Sequence, residues 1–247
     1  MKNIAAIILA AGKGRRMKSK DVNKVVIPLG NKQMILHTID RLKELMISPI
    51  VVVVGFAKES VIKVLEGNVI FAHQSRRLGT AHAVAVGLKK VPEDIDTVLV
   101  LNGDDSAFYT ISIIEKLIEA HVNKNAALSF LTITVDNPIG LGRVIRDNND
   151  KVIGIVEEKD ATRRQRKITE INPACYVFEV EFLKKYQVIY SFTQPELEEL
   201  LRKEDLIDEE DDYPIEENNE DKTKTEKTQE ARHEQRKIIG RLLPPRL

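Results

Sequence analysis

The chain has 247 residues, enough for one or two domains with a substantial core, and its 38 lysines and arginines balance 38 aspartates and glutamates, so no global field favours nucleic acid. The single cysteine, Cys175, rules out an internal disulfide framework and fits a reducing cytoplasm; its run C-Y-V-F marks it as a core residue. No apolar run reaches the roughly 20 residues of a membrane helix, and Ile4 to Ala11 leads into Gly-Lys-Gly-Arg-Arg without a signal-peptide cleavage pattern, so a cytoplasmic location is expected.

The run Ile4 to Leu9 shows no polar alternation and reads as a strand buried on both faces. It stops at Ala10-Ala11-Gly12-Lys13-Gly14-Arg15-Arg16, where small residues allow close backbone approach and three cations follow. Backbone N–H groups and guanidinium forks together suit a polyanion. The loop is not a P-loop, because neither Ser nor Thr follows a Gly-Lys pair, and Met17 stands where the dinucleotide fingerprint needs its third glycine.

Pro28 and Gly30 mark a turn, and Met34, Leu36, Ile39, Leu42 and Leu45 predict an amphipathic helix over about 33–46. A buried strand at Ile50 to Val54, a short helix at Ser60 to Leu65 and a third strand at Val69 to Ala72 follow. Ala81 to Leu88 reads as a helix, Thr97 to Leu101 as a fourth strand and Ile111 to Val122 as another helix. Such alternation predicts βαβ units, hence a mostly parallel sheet with helices on both faces. Beyond it, Ala126 to Val135 reads as a longer strand, Asn148-Asn149-Asp150 as the turn of a hairpin, Ile171 to Phe178 as a last strand and Glu181 to Tyr190 as the start of a helix. This half predicts a small mixed-sheet extension.

Ligands in such sheets sit beyond the carboxyl ends of the strands. Three polar clusters fall there: Gly12 to Arg16, Gln74 to Thr80 and Asn102 to Asp105. Their convergence is the main sign of a site. A carboxylate at a strand end beside a phosphate-binding loop is a natural Mg²⁺ ligand, since Mg²⁺ takes one or two carboxylates and completes its shell with water and substrate phosphates; Asp104 and Asp105 are the candidates. The five histidines are scattered and form no zinc pattern, and His82 is expected to be a structural or helix-face group. No G-x-S-x-G nucleophile is present, which fits direct transfer between two substrates.

The motifs L-A-A-G-K-G-R-R-M (9–17), N-K-V-V-I-P-L-G-N-K-Q-M (23–34), Q-S-R-R-L-G-T-A-H-A-V (74–84), L-N-G-D (101–104), G-R-V-I-R-D (142–147), I-V-E-E-K-D-A (155–161) and E-I-N (170–172) occur in this order. Together they resemble the sugar-1-phosphate nucleotidyltransferase family, over about residues 1–186. Within it they resemble the N-acetylglucosamine-1-phosphate uridylyltransferases that form part of the bifunctional UDP-N-acetylglucosamine-synthesising enzymes. The resemblance implies a Rossmann-like α/β fold, Mg²⁺ as cofactor, UTP and a hexosamine 1-phosphate as substrates, and UDP-sugar and pyrophosphate as products. It also implies roles: Arg16 and Lys24 as catalytic cations; Ala11, Gly12, Gln74, Gly79 and Thr80 as nucleotide-binding; Gly142, Glu157 and Asn172 as sugar-binding; Asp104 as metal ligand.

Some positions depart from the family pattern. Arg15 stands for Thr, Asn23 for Pro, Ala81 for Gly, Asp105-Ser106 for an apolar-Pro pair and Pro173-Ala174 for Thr-Gly, and the family's late metal-binding Asn has no counterpart. Hexapeptide repeats are absent, so acetyl transfer is not expected. Two other readings stay open: a degenerate relative that binds nucleotide without turnover, and a transferase for another base or sugar. The expected domains are 1–190, carrying the transferase, and 191–247, a charged tail that is loosely helical or disordered and could bind a protein partner.

Overall fold

A computed structural model describes residues 3–14, 21–65, 67, 69–76 and 79–187. Arg16, expected as a catalytic cation, and the expected tail over 191–247 lie outside the described residues. In chain order the elements are β1 (Ile4–Ala10), β2 (Pro28–Leu29), β3 (Lys32–Gln33), α1 (Met34–Glu44), β4 (Ile50–Val54), α2 (Lys58–Leu65), β5 (Ile70–His73), α3 (Thr80–Leu88), β6 (Thr97–Asn102), α4 (Ile111–Asn123), β7 (Leu128–Phe130), β8 (Ile133–Thr134), β9 (Gly142–Arg146), β10 (Val152–Val156), β11 (Glu170–Asn172), β12 (Cys175–Glu179) and α5 (Val180–Gln187). They divide into two units, Met1–Ile133 with Asn172–Tyr190, and Thr134–Ile171.

The first unit is built on a six-stranded sheet of order β5-β4-β1-β6-β12-β7. Strands β5, β4, β1 and β6 are mutually parallel, and β12 runs antiparallel between β6 and β7. The expectation of a mostly parallel sheet with helices on both faces is met. Parallel strands need long crossovers, and α1, α2 and α3 are carried in those between them. Because side chains alternate across a strand, each strand feeds two cores. Ala6, Ile8 and Ala10 of β1, Val52 and Val54 of β4, and Leu99 and Leu101 of β6 pack with Ile35, Ile39 and Leu42 of α1, Val61 of α2 and Ile114 of α4. Ala5, Ile7, Val51, Val53, Val98 and Val100 pack on the other face with Ala83 and Leu88 of α3 and Val180 of α5. Burial on both faces is why these strands read as unbroken apolar runs.

Two predicted strands are broken. The run 126–135 is not one strand: β7 pairs with β12 in the large sheet, whereas β8 belongs to the second unit's sheet. No Gly or Pro marks the break, and the change of sheet is set by pairing with distant partners. The run 171–178 is also two strands, β11 and β12. Pro173 has no N–H to give a ladder, Ala174 sits at φ 57°, and the Ala174 N–H donates to Asn172 Oδ1 at 3.0 Å. The Asn-Pro dipeptide carried that signal.

The second unit holds a four-stranded sheet of order β10-β9-β11-β8. The hairpin expected around 148–150 is present as antiparallel β9 and β10. Its tip is closed by Asp147 Oδ1, which accepts from the N–H groups of Asn149 and Lys151, both at 2.9 Å.

Cys175 is fully buried, and desolvation pushes its thiol up to about 12, so it is a packing residue. In α3, a Cβ on Gly87 would lie 2.7 Å from Ile7 Cγ2 and 2.9 Å from Val53 Cγ2, both branched side chains fixed in the sheet. The bare glycine is what lets α3 approach the strands. We expect Gly87→Ala to lower stability by about 1–2 kcal/mol, overpacking exceeding the gain in helix propensity. Urea denaturation checks this, and a stabilised variant would mean that α3 can move off the sheet.

Candidate functional site

The four parallel strands end at Ala10, Val54, His73 and Asn102, and their registers align Leu9 with Asn102, Ala10 with Val54 and Val54 with His73. All four therefore stop along one edge. The segments leaving that edge carry Gly12, Gln74 and Asp104, so the described members of the three polar clusters start from one edge. Counting β5-β4-β1-β6, Gln74 and Asp104 stand three strand spacings apart, roughly 14 Å. The glycine loop after β1 lies between them.

That loop is held from behind. Asn23 is 1% exposed. Its Nδ2 donates to the carbonyls of Ala10 and Phe56, both at 2.8 Å, and its Oδ1 accepts from the N–H of Val25 at 3.2 Å. Its own N–H donates to Ser60 Oγ at 3.1 Å, and that hydroxyl donates to the Ala57 carbonyl at 2.6 Å. One side chain thus ties the end of β1, the segment after β4 and the 3₁₀ turn Lys24–Val26 that it caps. The Phe56 N–H also donates to the Ala11 carbonyl at 3.2 Å. Gly12 itself is exposed, with no atom within 4 Å of where a Cβ would stand. Gly14 turns the chain at φ 57° against the stem of Lys24. Lys13 places its ammonium 5.8 Å from the centre of the Phe56 ring, within cation–π range.

The turn capped by Asn23 presents Lys24, whose ammonium forms an ion pair with the Asp104 carboxylate. Both side chains are part-buried. Asp105 opens the next 3₁₀ turn, is exposed, and accepts from Asn102 Nδ2 at 3.3 Å. Among the described residues no three His, Cys, Asp or Glu side chains converge as a metal cage. What Asp104 offers is one part-buried carboxylate next to the Lys24 ammonium, a donor that fits a hard cation arriving with phosphate oxygens. Tyr109 is buried, and desolvation, then nearby Cys175 and the two aspartates, hold its hydroxyl protonated well above the usual phenol range; it donates to the Pro173 carbonyl at 2.9 Å.

At the other end, Gln74 is buried and its N–H donates to the Val54 carbonyl at 2.9 Å, continuing the ladder past β5. Its side-chain Nε2 lies 3.2 Å from the Gly79 carbonyl and 2.9 Å from His82 Nδ1. Gly79 caps α3 and Thr80 is its exposed first residue. Gln74, Gly79 and Thr80 are brought together as expected.

The expected sugar-binding residues divide between the units. Asn172 is in the first, where its side chain is engaged by Tyr176 and Ala174. In the second, Gly142 and the exposed Glu157 adjoin, a Cβ at 142 standing 3.6 Å from Glu157 Oε1. Their chain neighbours make the structural pair. Arg143 is fully buried and its Nη2 donates to Glu158 Oε2 at 2.5 Å, an oxygen that also accepts the Gly140 N–H at 2.9 Å. Reading by motif passed over Asn23, Arg143 and Glu158. For Arg143, in β9, the available signal was that residues one apart on a strand face opposite ways; for Asn23 it was the departure from the family pattern.

A glycine turn on the strand-end edge of a parallel sheet is where α/β proteins hold nucleotides. The nucleotidyl transferase family profile matches residues 5–226, and the chain belongs to that family of enzymes. It is 50% identical over 179 residues, 72% of its length, to the bifunctional protein GlmU of Caldicellulosiruptor saccharolyticus. It is 40% identical over 185 residues, 75% of its length, to the bifunctional protein GlmU of Thermoanaerobacter pseudethanolicus. These stretches are 38% and 40% of the two relatives, so the chain spans about two fifths of their length. A crystal structure from Bacillus anthracis, described as a glucose-1-phosphate thymidylyltransferase in complex with a sucrose, superposes with a TM-score of 0.61 over 82% of this chain and 84% of that one at 22% identity, which shows a common fold. Among the described residues no helix is long and apolar enough to cross a membrane.

Two predictions follow from these contacts. Asn23→Ala should cost about 2–3 kcal/mol, a cap and two buried hydrogen bonds being lost. Asn23→Pro should cost at least as much: φ of −70° suits the ring, but proline also removes the N–H given to Ser60 Oγ. Denaturation midpoints decide the order. In the second unit the Glu158 carboxyl is held below its ordinary 4.5, first by the Gly140 N–H and then by Arg143. A lowered carboxylate stabilises the fold above its unfolded value, and that contribution is lost as pH falls through the folded one. Glu158→Gln should therefore flatten the fall of Tm on acidification below about pH 4.5; an unchanged acid limb would exclude this pair as its source.

Proposed function

We propose that this chain transfers a uridylyl group from UTP to a hexosamine 1-phosphate, N-acetylglucosamine 1-phosphate in the first instance, releasing pyrophosphate. The observation that supports it most is the order of groups along the strand-end edge. A buried amide stands at one end, a glycine loop in the middle and the Lys24–Asp104 pair at the other, an order that suits a nucleotide lying base first over β5 with its phosphates over β1 and β6. The 50% identity to a GlmU protein supports the sugar-nucleotide assignment.

In this reading a phosphate oxygen of the sugar phosphate attacks the α-phosphorus in line, and the bond to the pyrophosphate oxygen breaks. Such a transfer asks the protein for positioning and charge neutralisation. Ala11 and Gly12 admit the phosphates by close backbone approach, and Lys24, with Arg16, neutralises their charge. Gln74, Gly79 and Thr80 hold the base, and Gly142, Glu157 and Asn172 hold the sugar. Asp104 is the residue to hold Mg²⁺ together with the triphosphate, and that ion would supply further neutralisation of the phosphate oxygens. Magnesium phosphate carries both signs of charge, so it can satisfy Lys24 and Asp104 at once when their ion pair opens. The tail at 191–247 is the candidate for a protein contact.

The direct test is pyrophosphate release over a panel of nucleoside triphosphates and sugar phosphates, with UTP and N-acetylglucosamine 1-phosphate expected to give the fastest rate. Lys24→Ala and Asp104→Asn should each lower kcat on the order of 10²-fold or more while leaving Tm within a few degrees. Near-wild-type rates would remove that residue from the site. UTP binding without release of pyrophosphate from any pair would make the chain a nucleotide-binding relative instead.

A further inference from the structure

The Gln74 side chain has two chemically different ends, and its neighbours determine which end is which. The Gly79 carbonyl can only accept, so the atom 3.2 Å from it is the amide nitrogen. The same nitrogen lies 2.9 Å from His82 Nδ1. With Nε2 as the donor, Nδ1 must accept, which makes His82 the neutral tautomer with its proton on Nε2. Both amide hydrogens are then engaged, one on a backbone carbonyl and one on an imidazole. Gln74 Oε1 accepts no hydrogen bond among the described residues, although the residue is 4% exposed.

We propose that His82 is a positioning residue for base selection: by accepting at Nδ1 it locks the Gln74 amide so that the end left for the nucleobase is an acceptor. The inference rests on the nucleotide reading above. An acceptor there pairs with a ring N–H, as in uracil and thymine. It meets only a lone pair at the corresponding ring nitrogen of cytosine. Without His82 the amide keeps only its bond to the Gly79 carbonyl, so it is less firmly held and the turned-over orientation, with an N–H in place of the oxygen, costs one hydrogen bond instead of two; the distinction weakens. The helix-face role expected for His82 from the sequence is thereby given a purpose: α3 begins at Thr80, so its first turn carries the group that orients the residue following β5.

Two measurements test this. Nitrogen NMR of histidine-labelled protein, with His82 assigned by its loss in His82→Gln, should show Nδ1 without a proton at neutral pH. This readout needs neither substrate nor turnover. Equilibrium binding of UTP and of CTP should then be compared in wild type, His82→Ala and His82→Gln. His82→Ala should reduce the preference for UTP by about tenfold or more, with Tm little changed. His82→Gln, which can still offer an acceptor oxygen, should restore much of it. A protonated Nδ1, a wild type that binds the two nucleotides equally or binds neither, or an undiminished preference in His82→Ala would each overturn the proposal. Whether pyrophosphate is released is a separate question, so a failure of turnover and a failure of this inference can be told apart.

Discussion

A nucleotide site at the edge of a parallel sheet depends on segments that have left the sheet and lost its ladder. Here that dependence falls on the buried amide of Asn23. It bonds to the carbonyl of Ala10, the last residue of β1, and to that of Phe56, just after the adjacent β4, and caps the turn that delivers Lys24. A buried amide with each end satisfied is costly to move, because every displaced bond leaves a polar group without a partner away from water. The geometry of the Lys24–Asp104 pair therefore inherits the rigidity of the sheet although neither residue belongs to a strand. The family pattern has proline here, which restrains the same φ through its ring. This chain reaches a similar restraint through hydrogen bonds.

Charge near the strand ends is arranged with a similar economy. Lys24 and Asp104 oppose each other at the β6 end of the edge, Asp105 takes a bond from Asn102, and Tyr109 stays protonated close by. At the β5 end, Gln74, Gly79 and Thr80 carry no formal charge. In the proposed reading, electrostatic strength is concentrated where charge would move during transfer, and hydrogen-bond direction is used where selectivity would be needed. The two ends call for different physics, since neutralising phosphate is largely a matter of field whereas telling one base from another is a matter of donors and acceptors.

Much of this was legible in the sequence. The runs at 4–9, 50–54 and 97–101 are buried strands because crossover helices cover both faces of the sheet, and the polar residues after them had to meet at one edge. Periodicity says nothing about partner exchange, which is why 126–135 looked continuous: β7 and β8 are locally alike and differ only in which sheet they join. Asn172-Pro173 did carry a local signal, and the break there follows from a missing N–H and a side chain that bonds two residues on. Asn23 was visible only as a departure from a pattern. Its bonds reach carbonyls 13 and 33 residues away, and nothing in its neighbours announces them. His82 was placed on the correct helix, but its bond to the Gln74 amide, which also bonds the Gly79 carbonyl, reaches eight residues back and has no local signature.

The pairing of β7 with β12 has one more implication. Between these two hydrogen-bonded strands the chain makes an excursion of some forty residues, Thr134–Ile171, which forms the second unit. Departure and return are fastened to each other, with the Leu131 N–H donating to the Cys175 carbonyl at 3.0 Å. An insertion whose ends are already adjacent adds little closure entropy as it lengthens, because that cost grows only with the logarithm of loop length. The excursion can therefore be enlarged, shortened or exchanged while the sheet it leaves and rejoins stays zipped. Within one architecture, the part that carries Gly142 and Glu157 is open to remodelling at small thermodynamic cost, whereas Gly12, Gln74 and Asp104 leave paired strands of the large sheet that cannot be changed piecemeal.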